Sequence, residues 1–152
     1  MKLLVVTLLL VAARVFAADP TLAPNAPKDK PVHGQVSQFD KAIAPYVEQA
    51  RKSWPQAKQR YLAGLPAGEI FFVTAKLREG DQVEQCFLRV KKVEAGKITG
   101  TIATELIGLK RVRNGDSVTI TESELVDWMI AKPDGSEEGN VVGKFLDTWD
   151  QR

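Results

Sequence analysis

The apolar residues of this chain change period once, and that change restricts the fold more than any other feature. Phe39, Ile43, Tyr46, Val47, Ala50 and Trp54 recur every three or four residues and form one stripe of a helix. Lys41, Glu48, Arg51 and Lys52 fall on its polar side. From Glu69 onward the segments become short and β-rich: Ile70–Leu77, Val83–Val93, Lys97–Ala103, Ser117–Thr121 and Leu125–Ala131. Gly80-Asp81, Ala95-Gly96, Asn114-Gly115-Asp116 and Pro133-Asp134-Gly135 punctuate them as turns. A helical stripe followed by a meander of strands predicts an α+β fold. An N-terminal helix or helix pair would pack on a twisted, mainly antiparallel sheet of about five strands.

Details within this frame are also expected. Ser37-Gln38-Phe39-Asp40 reads as a capping box with Asp in the Glu position. Pro45 predicts a kink or a late helix start, since proline in a helix interior costs about 3 kcal/mol. Ser53-Trp54-Pro55 reads as the start of a second helix, with Ser53 as its cap, running Gln56 to Ala63 and stopping at Gly64. Asn114-Gly115-Asp116 should turn the chain between Leu109–Arg113 and Ser117–Thr121. Val141–Trp149 fits a strand or a short amphipathic helix equally.

Upstream of the helix the chain reads as an address. Lys2 precedes the apolar run Leu3–Ala13, and Val15-Phe16-Ala17 suits a signal peptidase. Residues 1–17 are therefore expected to be a cleavable signal peptide, cut after Ala17, and the protein periplasmic or secreted. The run is shorter than the about 20 apolar residues that span a bilayer, so no membrane insertion is expected after the cut. Residues 18–36 hold four prolines and no periodicity, and read as an exposed linker. Residues 37–152 are expected to form one domain.

Charge and side-chain chemistry narrow the function. Lys2 and Arg14 account for the net +2, so the remainder has 19 residues of each sign. A formally neutral domain is a poor fit to nucleic acid or an anionic membrane surface. The trio Lys110, Arg111, Arg113 reads as a solvated face. Cys86 is the one cysteine, so no internal disulfide can form, and it shares a strand face with Leu88 and Val90 that should be buried. His33 is the one histidine and lies in the linker. One Cys and one His do not make an ordinary zinc site or a local Ser-His-Asp triad. No cofactor, metal site or catalytic residue is expected.

The candidate site residues are Asp127, Trp128, Asp116, Glu84 and Glu105. Asn114-Gly115 supplies a tight turn, and Asp116 is placed to accept backbone N–H bonds from residues beyond it. Trp128 shares alternation with Val126 and Ile130 and should be core. Asp127 alternates with Leu125 and Met129, where a carboxylate is costly unless it pairs with Arg89, Arg111 or Arg113 or accepts backbone N–H bonds. Otherwise Asp127 is part of a polar site with Glu84 or Glu105 as its second carboxylate.

The run Gly115-Asp116-Ser117-Val118-Thr119-Ile120, then Glu124-Leu125-Val126-Asp127-Trp128-Met129-Ile130, with Gly135 and Gly139 beyond, resembles the YegJ-like family of small bacterial proteins. The resemblance extends upstream through the helix and the strand around Cys86. Phe87 stands where that family often has tryptophan, and Ala103-Thr104-Glu105 replaces an expected turn after Gly100. The resemblance implies the fold and an exported or interaction role, and brings no activity. Three functions follow as expectations. The first is a non-catalytic binding module with an envelope protein partner at a sheet edge or solvated face. The second is a small hydrolase using two carboxylates on an envelope glycan, and the third a structural or stress-related envelope protein.

Overall fold

The structure, a computed structural model, describes residues 36–149. The expected signal and linker fall outside the described residues, apart from Val36. Helix α1 (Val36–Ala63) is followed by strands β1 (Ile70–Glu79), β2 (Gln82–Glu94) and β3 (Lys97–Ile102). Strand β4 (Ser117–Thr121) leads through one 3₁₀ turn (Glu122–Glu124) into β5 (Leu125–Ala131). Strand β6 (Glu137–Gly139) and helix α2 (Val141–Thr148) complete the fold. The six strands form one sheet in the order β4-β3-β2-β1-β5-β6. Every pairing in it is antiparallel. The α+β reading is borne out, with β6 as a sixth strand. Val141–Thr148 resolves as helix.

Of the helix or helix pair expected, the single helix is realised: 28 residues running through Pro45 and Pro55, with no second start at Ser53. Both prolines sit on the exposed side of α1. The carbonyls they leave unpaired belong to Lys41 and Arg51, also exposed residues, where water can bond to them. The opposite stripe buries Ile43, Ala50, Trp54 and Ala57. Burying a large side chain contributes about 1.5–3 kcal/mol, so the continuous stripe offsets the two breaks. Ser53 is no cap: its hydroxyl bonds back to the carbonyls of Gln49 and Ala50. The expected cap position, residue 37, falls inside a helix that starts at Val36, and the Asp40 carboxylate pairs with Lys76 on β1. Gly64, with φ of 96°, ends the helix.

The main core lies between α1 and the sheet. Ala50, Trp54 and Ala57 meet Phe71, Val73, Cys86, Leu88, Ile98, Ile120, Trp128 and Ile130. Cys86, Leu88 and Val90 are all buried there, as their alternation requires. Alternation along β1 turns Phe72 to the other face of the sheet, where it clusters with Phe87, Met129 and Ala131. A third cluster joins the two helices: Phe39, Ile43, Val126 and Val142.

Two expectations fail for local reasons. Residues 109–113 are not a strand, since β3 pairs directly with β4. The residues between them form an irregular loop whose N–H groups are bonded by acidic side chains rather than by a neighbouring strand. The alternation along β5 is also broken. Thr74 pairs with Asp127 but Ala75 with Leu125, so Val126 is the extra residue of a bulge. The bulge carries Leu125 into the cluster of Trp128 and Ile130, away from Met129.

Candidate functional site

Asp127 lies on β5, only 2 % exposed. Its two oxygens accept separate backbone bonds: Trp128 N–H to Oδ1 at 2.8 Å and Val142 N–H to Oδ2 at 2.7 Å. The second bond anchors the first turn of α2. Asn140, which precedes that helix, has φ of 53° and makes no capping bond, because its amide is directed to Glu137. Asp127 therefore serves as the cap of α2 from a distant strand, a carboxylate at the positive end of a helix. Burial pushes its pKa up to about 6, against the downward pull of the Val142, Trp128 and Gly143 N–H groups and of Lys144. Of the pairings expected for it, the backbone one is realised. Gly139, with φ of 79°, lets β6 close beside it. A Cβ there would stand 2.3 Å from the Trp128 carbonyl oxygen.

Trp128 is core, as expected. Its indole N–H donates to Ser53 Oγ at 2.9 Å, and its ring meets Phe71 at 6.3 Å. Asp116 closes the turn before β4, accepting the Arg113 N–H at 3.0 Å. That donor precedes it in the chain, whereas the sequence reading placed the donors after it. Glu84 holds the loop after β3: Oε1 accepts from Ile107 at 2.7 Å and Oε2 from Gly108 at 2.9 Å. Glu79, unmarked in the sequence, continues that clamp. The Arg111 and Lys110 N–H groups bond it and hold its carboxyl below the usual range. Glu105 accepts from the Asn114 amide.

These acids are not brought together. Asp127 pairs with Thr74, and Thr74 with Phe87, three residues from Glu84. Two strand spacings and three residues put the Asp127 and Glu84 backbones about 14 Å apart. Glu105 follows Thr104, whose hydroxyl bonds Phe87. It therefore lies about three strand spacings, roughly 14 Å, from Asp127. Glycosidase carboxylates work across roughly 5–9.5 Å. Asp127 is directed to α2 and Glu84 to the loop, so neither pair shares a reacting atom. Among the described residues no group of three or more His, Cys, Asp or Glu is placed to hold a metal. His33 lies outside them.

What the sequence did not reveal is a groove of about 680 Å³ between the first half of α1, the β1–β2 hairpin and the start of β5. That volume lies within the about 300–1,000 Å³ usual for ligand sites. Ile43, Val47, Val83 and Val126 give it an apolar floor. Lys76 and Arg78 come from one strand, and Arg78 lies directly opposite Val83 in the hairpin. Arg51 is fixed across it, donating to the carbonyls of Leu125 at 2.8 Å and Ser123 at 2.9 Å. The acids on the rim are engaged. Asp40 pairs with Lys76, Glu48 with Lys52, and Glu124 accepts from Thr121. Behind it Glu122 bonds Lys58 and the Trp54 indole; burial opposes ionisation there, but those bonds prevail and keep its carboxyl below the usual range. The groove's walls come from three distant segments, so no single stretch of the sequence signals it.

A family model described as "Uncharacterized protein conserved in bacteria (DUF2314)" matches residues 40–147. No curated protein and no solved structure matches. The match bears out the expected uncharacterised bacterial family and does not carry the narrower YegJ-like name.

Proposed function

The chain belongs to the DUF2314 family of uncharacterised bacterial proteins, and from that premise we propose that it is an exported, non-catalytic binding module of the bacterial envelope, with the groove beside α1 as its binding surface. One observation carries the reading. The acids that could have done chemistry are held apart in structural bonds, Asp127 and Glu84 to backbone N–H groups and Glu105 to the Asn114 amide, while the groove is open, apolar at its floor and charged at its rim. Such a surface suits recognition, where an apolar centre supplies affinity and a polar rim supplies orientation. Export rests on the n-region, apolar run and Val15-Phe16-Ala17 of the leader. The tail pattern from Gly115 to Gly139 supports placing the chain with YegJ-like proteins within this family.

Capture from envelope extract tests the binding reading. The protein and an Ala44→Trp variant, which fills the groove from the exposed side of α1, are first matched by thermal melting. One identified species held by the parent and lost by the variant is the expected result. Equal capture by both, or none by the parent, refutes the groove. N-terminal sequencing tests the address: a periplasmic product beginning at Ala18 is expected, and a cytoplasmic product beginning at Met1 refutes export.

A further inference from the structure

The charges around the groove do not cancel locally, and the remainder selects a ligand. Six ionisable residues line it, three of each sign: Asp40, Glu48 and Glu124 against Arg51, Lys76 and Arg78. All three acids are already committed, to Lys76, to Lys52 and to the Thr121 N–H and hydroxyl. Lys76 is used in the same way. The guanidiniums are not. Among the described residues the Arg51 side chain donates to the neutral carbonyls of Leu125 and Ser123, and no carboxylate there answers its charge. Arg78 is exposed, and its side chain makes no hydrogen bond or ion pair among the described residues. A groove of mixed composition thus carries guanidiniums that no carboxylate among the described residues answers, beside an apolar floor. A guanidinium without a partner is a fork for two carboxylate oxygens.

We propose that the groove takes an aliphatic carboxylate, with its chain along Ala44, Val47 and Val83 over Ile43 and Val126 and its head on Arg78. The inference rests on the groove being the binding surface and adds the class of its occupant. The register supports the pose. Arg78 and Val83 are cross-strand partners, so a head bonded to the guanidinium lies beside the first apolar contact of the chain. A cationic amphiphile would meet Arg78 and Arg51 with like charge. An alcohol of equal length would offer the fork one uncharged oxygen in place of two carboxylate oxygens.

Calorimetric titration of the purified protein with octanoate, decanoate and dodecanoate, each below its micellar concentration, tests this. Single-site binding is expected, tightening by up to about four-fold per methylene, the value for full burial of a CH₂. Arg78→Gln should weaken dodecanoate about ten-fold or more, the effect of losing a charged hydrogen bond. Arg78→Lys should restore part of it. Thermal melting should not separate these variants from the parent, since Arg78 supports nothing in the fold. Absence of saturable binding, indifference to Arg78→Gln, or equal binding of dodecylammonium overturns the proposal. If dodecanoate fails to bind while a species is still captured by the parent and lost by Ala44→Trp, the carboxylate assignment falls and the binding module stands. If both fail, both fall.

Discussion

Replacing Asp127 with Asn separates the two forces acting on the most buried acid of the fold. The carboxylate is almost fully enclosed, and burial raises its pKa from 3.8 to about 6 despite the N–H bonds it accepts. At about 1.4 kcal/mol per pKa unit, holding it ionised at neutral pH costs the native state about 3 kcal/mol relative to an unperturbed acid. The sign follows from linkage. A folded-state pKa above the unfolded one means that the native state binds the proton more tightly, so this group's contribution improves as pH falls from above 6 toward 3.8. Asparagine has no such term. It has its own fixed penalty, because its NH₂ must face either Trp128 N–H or Val142 N–H, donor against donor. The informative quantity is the stability of the parent minus that of Asp127→Asn. Acids with lowered pKa, such as Glu79, Glu122 and Glu124, destabilise both proteins alike in acid and cancel. Denaturant unfolding, read by the fluorescence of the buried Trp54 and Trp128, gives this difference between pH 7.5 and pH 4. It should shift by about 2.4 kcal/mol in favour of the parent as pH falls. A flat difference, or one moving the other way, would mean that the helix N–H groups outweigh burial, and the reasoning would be refuted.

Other perturbations follow from the same geometry. Gly139→Ala places a Cβ against the Trp128 carbonyl at a φ of 79°; a loss of about 2 kcal/mol or more is expected by denaturant unfolding. Trp128→Phe removes the bond to Ser53 and leaves a small void, so a loss of about 1–3 kcal/mol is expected in the same assay. Glu84→Gln exchanges a carboxylate for an amide whose NH₂ opposes the loop donors. Amide exchange at Ile107, Gly108 and Leu109 should accelerate about ten-fold while β1 and β2 are unaffected; uniform acceleration would show that the clamp supports the whole fold. Cys86 is fully buried and should react with a soluble thiol reagent only at the rate of unfolding; fast modification of the native protein would contradict its placement.

Much of the fold was legible because alternation and turn residues agree along the strands. Cys86, Leu88 and Val90 read as one face and are one face, and every turn named from Gly, Asp or Pro separates two elements or opens a strand. What was not legible depends on tertiary contact. Prolines at 45 and 55 are tolerated because both face water while Ile43, Ala50, Trp54 and Ala57 are buried behind them. The extra residue at Val126 cannot be seen in β5 alone, because a bulge is a relation between two strands. The same holds for the site. Asp127 was marked by its apolar neighbours, and backbone bonding was among its readings, but its donor lies on a helix whose type was ambiguous. The groove has no sequence signature, since Asp40, Arg78 and Val126 meet only once the strand order is set.

Site-specific photo-crosslinking in living bacteria tests the central claim most directly. A photo-reactive residue is placed at Ala44, on the groove, and separately at Ser117, on the exposed edge strand β4. A discrete adduct from position 44 and none from position 117 is the result expected of a binding module that works through the groove. An adduct from position 117 alone would move recognition to the sheet edge and contradict the account.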